Sequence, residues 1–126
     1  MACPLCAREC RLGPGERGYC GLRTANRGRL VHLGGTSRRG ILHWYRDPLP
    51  TNCVADWVCP GRRQTDRHNL AVFYASCTLN CLFCQNWHFR GVSPLRERGL
   101  SAAELADAAN AETFCVCFFG GDPASQ

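Results

Sequence analysis

The residues best placed to do chemistry lie in Cys77-Thr-Leu-Asn-Cys81-Leu-Phe-Cys84, three thiols spaced C-x3-C-x2-C. An odd set of neighbouring cysteines makes a poor disulfide framework. Thiolates gathered on one loop suit a soft metal centre, and iron–sulfur clusters are held this way. A tetrahedral zinc site needs a fourth ligand, and this segment offers only His88. A four-iron cubane held by three cysteines keeps one iron free of protein, and a free iron is a place for chemistry.

Such a loop must be carried by ordered elements on either side. Leu70 to Ala75 is a continuous apolar run, the pattern of a strand buried on both faces. The loop, 76–89, follows at its C-terminal end, the edge where parallel α/β folds gather their sites. Gln85 and Asn86 could donate to cluster sulfurs and tune a potential, with a solvated role nearly as well supported. Leu100 to Glu112 reads as a helix, with Ser101 and Glu104 as a capping box and Leu100 and Leu105 as a staple. Leu105, Ala108, Ala109 and Ala102 form its expected buried stripe. Thr113 to Phe119 reads as a second buried strand, closed by Gly120-Gly121. Strand, loop, helix and strand make a βαβ unit.

Two motifs in this order resemble one family. The C-x3-C-x2-C with Phe83 before the last cysteine is similar to the cluster loop of radical S-adenosylmethionine (radical SAM) enzymes. Phe118-Phe-Gly-Gly-Asp-Pro123 is similar to the turn by which that family holds the methionine end of SAM. More loosely, Cys3-Pro-Leu-Cys6-Ala-Arg-Glu-Cys10 … Arg17-Gly-Tyr-Cys20-Gly-Leu-Arg23 is similar to the leader of proteins related to pyruvate formate-lyase activating enzymes. The resemblance implies that Cys77, Cys81 and Cys84 each hold one iron of a [4Fe–4S] cluster, with SAM chelating the fourth. Gly120 and Gly121 would let the backbone approach SAM, Asp122 would receive its amino group, and the backbone near Phe83 would contact the adenine. An electron from a flavodoxin- or ferredoxin-type partner would cleave the sulfonium. The products would be methionine and a 5′-deoxyadenosyl radical that abstracts a hydrogen, in such relatives from a glycine of a partner enzyme.

The resemblance also implies a fold: an incomplete radical SAM βα barrel of the TIM type, begun at residues 70–126 and preceded by a cysteine-rich segment of hairpins and loops at 1–69. A complete barrel takes about 200 to 250 residues. The chain is therefore expected to be the N-terminal part of a longer protein, with a sheet edge and apolar face exposed and weak or no turnover alone.

In the first segment, Cys3, Cys6, Cys10 and Cys20 are four soft ligands in a glycine-rich stretch, a candidate second metal site. A loop-rich segment of this kind needs a metal staple. A small zinc knuckle is favoured over an auxiliary cluster, because four ligands leave no open position. Gly28–Leu33 and Gly40–Tyr45 are strand candidates. Cys53 and Cys59 flank Trp57; with His43 or His68 they offer a further metal site, although a pair of buried or free thiols is the better reading. Cys115 and Cys117 share one strand face and read as small hydrophobes.

Composition bounds these readings. A chain of 126 residues with 45% hydrophobic content supports one core. Eleven cysteines suit a secreted disulfide scaffold, but Met1-Ala-Cys-Pro-Leu-Cys has neither the basic nor the apolar region of a signal peptide. No stretch approaches the ~18 apolar residues of a membrane span. The expected setting is a reducing cytoplasm, where clustered cysteines bind metal more often than they pair. The net charge is +5 and all fifteen basic residues are arginine, which a GC-rich coding bias explains best. Arg38-Arg39 and Arg62-Arg63 could touch nucleic acid, but the arginines are scattered and follow no RNA-binding pattern. The rival class is a zinc module binding nucleic acid, with one knuckle at Cys3/Cys6/Cys10/Cys20 and another at Cys77/Cys81/Cys84 plus His88. It needs neither the Gly-Gly-Asp-Pro turn nor the buried strand before Cys77.

Overall fold

A computed structural model describes residues 1–126 throughout. The chain begins with an irregular segment folded onto a short ribbon, β1 (Arg23–Asn26) and β2 (Arg29–His32), paired antiparallel. Gly28 supplies the tight turn between them, within the strand candidate at 28–33. Cys3, Leu12 and Ala25 pack together here, with Cys10 and Leu30 against them.

The main sheet has three strands in the order β3 (Leu42–Pro48), β4 (His68–Tyr74) and β5 (Thr113–Gly120). Leu70, Ala71 and Val72 are wholly buried, so β4 is covered on both faces as its apolar run requires. β5 lies parallel to β4 and is reached by a crossover through the loop at 76–89 and helix α1 (Ala102–Asp107). β3 runs antiparallel along the other edge of β4, from Leu42 opposite Tyr74 to Pro48 opposite His68.

That pairing corrects the expected fold. The domain is small and mostly sheet, with two small sheets and one helix, and it is not a partial TIM-type barrel of βα units. A barrel strand has parallel neighbours on both sides. Here β3 occupies one edge of β4 in the opposite direction, so the single parallel pair β4–β5 cannot be the opening of such a barrel. No helix is long and apolar enough to cross a membrane.

Helix α1 is also shorter than the expected 100–112, and its stripe is not buried: Leu105 and Ala108 are half-covered, while Ala102 and Ala109 are exposed. Asn110 stops it. Its side chain accepts from Glu112 N–H at 3.1 Å and Thr113 Oγ1 accepts from Asn110 N–H at 3.0 Å, a local turn that competes with the helix. The N-terminal end forms as expected, with the Ser101–Glu104 capping box complete. Glu104 also takes a two-pronged contact from Arg39, at 2.9 and 2.7 Å, which ties the helix to the turn before β3.

These contacts make Glu104 sensitive to acid. The Ser101 backbone N–H, then the Arg39 guanidinium and the Ser101 hydroxyl, hold its carboxyl down at about 2 from an ordinary 4.5. A group with a depressed folded-state pKa stabilises fully above its unfolded value, and that contribution is lost as pH falls. Stability is expected to decline between pH 4.5 and about 2 partly through Glu104. Glu104→Gln should flatten that part of a urea-midpoint-against-pH curve, and an unchanged slope counts against the assignment.

Candidate metal centre

The loop at 76–89 leaves the C-terminal end of β4, and the Gly120-Gly121-Asp122 turn leaves the same end of β5. Several bonds join them. Asp122 N–H donates to the Ser76 carbonyl at 3.3 Å, the Thr78 hydroxyl donates to Asp122 Oδ2, and Asn86 Nδ2 donates to the Phe119 carbonyl at 3.4 Å. Asp122 Oδ1 accepts from Ala124 N–H at 2.9 Å, so the carboxylate also shapes the turn behind it. Gly121 has a φ of +72°, and a Cβ there would fall on the Tyr74 carbonyl. The turn passes so close to β4 that only glycine fits.

The three loop thiols are unpaired; Cys77 is half-buried, and Cys81 and Cys84 are exposed. They are not gathered. Cys81 and Cys84 line an open cleft of about 640 Å³ with Phe83, Asn86, Phe119 and Cys53. Cys77 lines a different hollow with Cys20, Trp87 and His88. The base of the loop is closed by Ser76 N–H donating to the Phe89 carbonyl at 2.8 Å. Inside it, Cys84 N–H reaches the Cys81 carbonyl at 3.2 Å and Leu79 N–H reaches Cys77 Sγ at 3.4 Å. Leu82 and Phe83 stand in solvent, 101% and 86% exposed, so packing does not fix the tip.

Cys3, Cys6, Cys10 and Cys20 line a single small hollow. Tyr19 N–H donates to Cys10 Sγ at 3.3 Å, which fixes that side chain at the hollow. Nowhere do three or more His, Cys, Asp or Glu side chains already stand in coordinating geometry. The donor set is nonetheless of the right chemistry at both places: free thiols, with no competing disulfide.

Contacts between distant segments escaped the sequence reading. Arg8 Nε donates to the Thr78 carbonyl at 2.9 Å and its guanidinium lies over the Tyr19 ring, while Arg90 donates to the Tyr19 hydroxyl at 2.7 Å. The N-terminal cysteine segment is thereby bound to the loop at 76–89, and no local pattern signals it. The histidines that the sequence offers to Cys53 and Cys59 have other partners. His68 bonds the Thr113 hydroxyl at 2.8 Å, and His43 faces Glu97 at 3.6 Å.

A third group of thiols lies on the sheet face that carries Asn69. Cys115 Sγ and Cys117 Sγ are 3.7 Å apart. Burial, then the bond to Cys117, then the Cys117, Cys59 and Cys53 thiols push the Cys115 pKa up to about 12. Cys53 is raised too, by burial first and then by Cys59, Cys117, Asp47 and Asp56. Comparison with family models, curated proteins and solved structures finds no match.

Proposed function

We propose that the chain binds a [4Fe–4S] cluster and S-adenosylmethionine and takes part in radical SAM chemistry. One observation carries the reading: the C-x3-C-x2-C loop and the Gly-Gly-Asp-Pro turn, far apart in sequence, are bonded side by side at the C-terminal ends of two parallel strands. A zinc module has no use for that juxtaposition. The chemistry such a bound pair supplies is one-electron reduction of the sulfonium to methionine and a 5′-deoxyadenosyl radical.

The chain's own residues have separable tasks in this reading. Cys77, Cys81 and Cys84 bind iron, and the thin internal bonding of their loop lets them converge. Ser76 and Thr78 hold the acidic turn against the loop, with Asp122 oriented by the Thr78 hydroxyl. Gly120 and Gly121 keep the backbone bare beside the loop for close approach of a ligand. Arg8, Tyr19 and Arg90 brace the loop from the N-terminal side, where Cys3, Cys6, Cys10 and Cys20 hold a zinc or an auxiliary cluster. The electron comes from a flavodoxin- or ferredoxin-type donor, and a partner glycyl radical enzyme is one substrate class consistent with the N-terminal resemblance.

The test is anaerobic reconstitution with iron and sulfide, then EPR of the reduced protein with and without SAM. A signal that shifts with SAM and disappears in Cys77→Ala/Cys81→Ala/Cys84→Ala is expected. A reconstituted, folded chain whose spectrum ignores SAM, or whose signal survives the triple substitution unchanged, overturns the reading.

A further inference from the structure

We infer that Cys53, Cys59, Cys115 and Cys117 form a separate four-thiolate site for a single tetrahedral metal ion, zinc by chemistry, which ties the segment after β3 to β5. The spacing of the strand pair is the first support. Four thiolates at metal–sulfur distances of about 2.3 Å have sulfurs about 3.8 Å apart along each tetrahedral edge. Cys115 Sγ and Cys117 Sγ are 3.7 Å apart, which is one such edge. Cubane thiolates bind different irons and stand further apart, so this spacing selects a mononuclear ion.

The fold brings the other two thiols to the same face. Cys115 and Cys117 stand opposite Asn69 and Ala71 of β4, and these stand opposite Asp47 and Tyr45 of β3. Asn52 Nδ2 donates to Asp47 Oδ1 at 2.9 Å, which folds the chain after β3 over that face and brings Cys53 with it. At the other end, a Cβ on Gly61 would lie 3.3 Å from Cys59 Sγ and 3.5 Å from the Phe114 ring, so Cys59 sits beside the start of β5. Arg62 and Arg63 share a hollow with Cys59, together with Asp56, so the surroundings of that thiol are of mixed charge. Cys53 and Cys59 come from a turn rather than a strand, so closing the tetrahedron draws on the more adaptable side of the site. Binding releases the thiol protons to solvent and involves no redox change.

The site does not depend on the radical SAM reading, and the test keeps them apart. The full chain, with Cys77→Ala/Cys81→Ala/Cys84→Ala as background, is titrated with cobalt(II). Thiolate-to-cobalt charge-transfer and tetrahedral ligand-field absorption are followed, with bound metal counted by elemental analysis. Cys53→Ser/Cys59→Ser and Cys115→Ser/Cys117→Ser are each expected to lose one equivalent and the same part of the spectrum. The quadruple variant should lose no more than either pair, since both remove one shared site. Full retention of cobalt in either pair variant, or additive losses in the quadruple variant, overturns the inference. The first pair lies outside the strands, so it decides the question even if β5 does not tolerate serine.

Discussion

Gly121→Ala is expected to destabilise the protein by about 3 to 5 kcal/mol and to detach the acidic turn from the thiol loop. Two costs add. The left-handed φ of +72° is unfavourable for any side chain, and forcing a methyl group into filled space costs about as much again. The obstruction is the Tyr74 carbonyl, a backbone group at the end of β4 that cannot rotate aside. The chain must move, and Asp122 N–H to Ser76 and Thr78 to Asp122 are the bonds in its path. Urea unfolding measures the first effect, with Gly91→Ala as control because nothing lies within 4 Å of its added Cβ. On reconstituted protein, the SAM-dependent EPR shift should be lost at temperatures where the variant is still folded. A variant within about 1 kcal/mol of the parent would refute the close approach at Gly121.

Asp47→Ala is expected to cost about 2 to 4 kcal/mol, chiefly through what it leaves behind. Asp47 is 3% exposed and accepts from Asn52 Nδ2 at 2.9 Å and Asn69 Nδ2 at 3.2 Å. Asn69 is wholly buried and its Oδ1 already lacks a partner. Removing the carboxylate strands the amide completely, and a buried donor without an acceptor bears its full desolvation cost. Asp47→Asn should be damaging to a smaller extent, since a carboxamide keeps one acceptor oxygen but sets its NH2 group against the other of the two donors. Asp47→Ala/Asn69→Leu should recover much of the loss, because removing both partners is milder than orphaning one. Loss without recovery in the double variant would assign Asp47 a different role. Asn52 would also be released, so the Cys53–Cys59 turn should loosen and cobalt bind more weakly there.

Both sites combine signals that sequence carries with ones it cannot. The spacing of Cys77, Cys81 and Cys84 is legible because the ligands are neighbours, whereas their division between two hollows depends on how the loop is seated. In sequence, Cys53 and Cys59 look like buried or free thiols, with His43 or His68 as the only metal partners on offer, and Cys115 and Cys117 look like small hydrophobes. Each pair is undistinguished alone, and only the order β3-β4-β5 brings them to one face.

Features set by neighbours in the chain are those the sequence determined by itself. The apolar run of β4 demands cover on both faces, and Ser101 with Glu104 specifies a helix start. Gly-Gly after an apolar strand marks a tight turn. The cap and the turn are interactions over a few residues, and the apolar run is a local pattern that states a demand whichever elements come to meet it. The end of α1 lay within local reach too, but Asn110 and Thr113 outweighed a run of alanines that suggested a longer helix. Tertiary structure alone decided the architecture and the grouping of thiols. The direction of β3 beside β4 is fixed by pairing across the intervening turn, and that direction, invisible in either strand's own pattern, rules out the barrel.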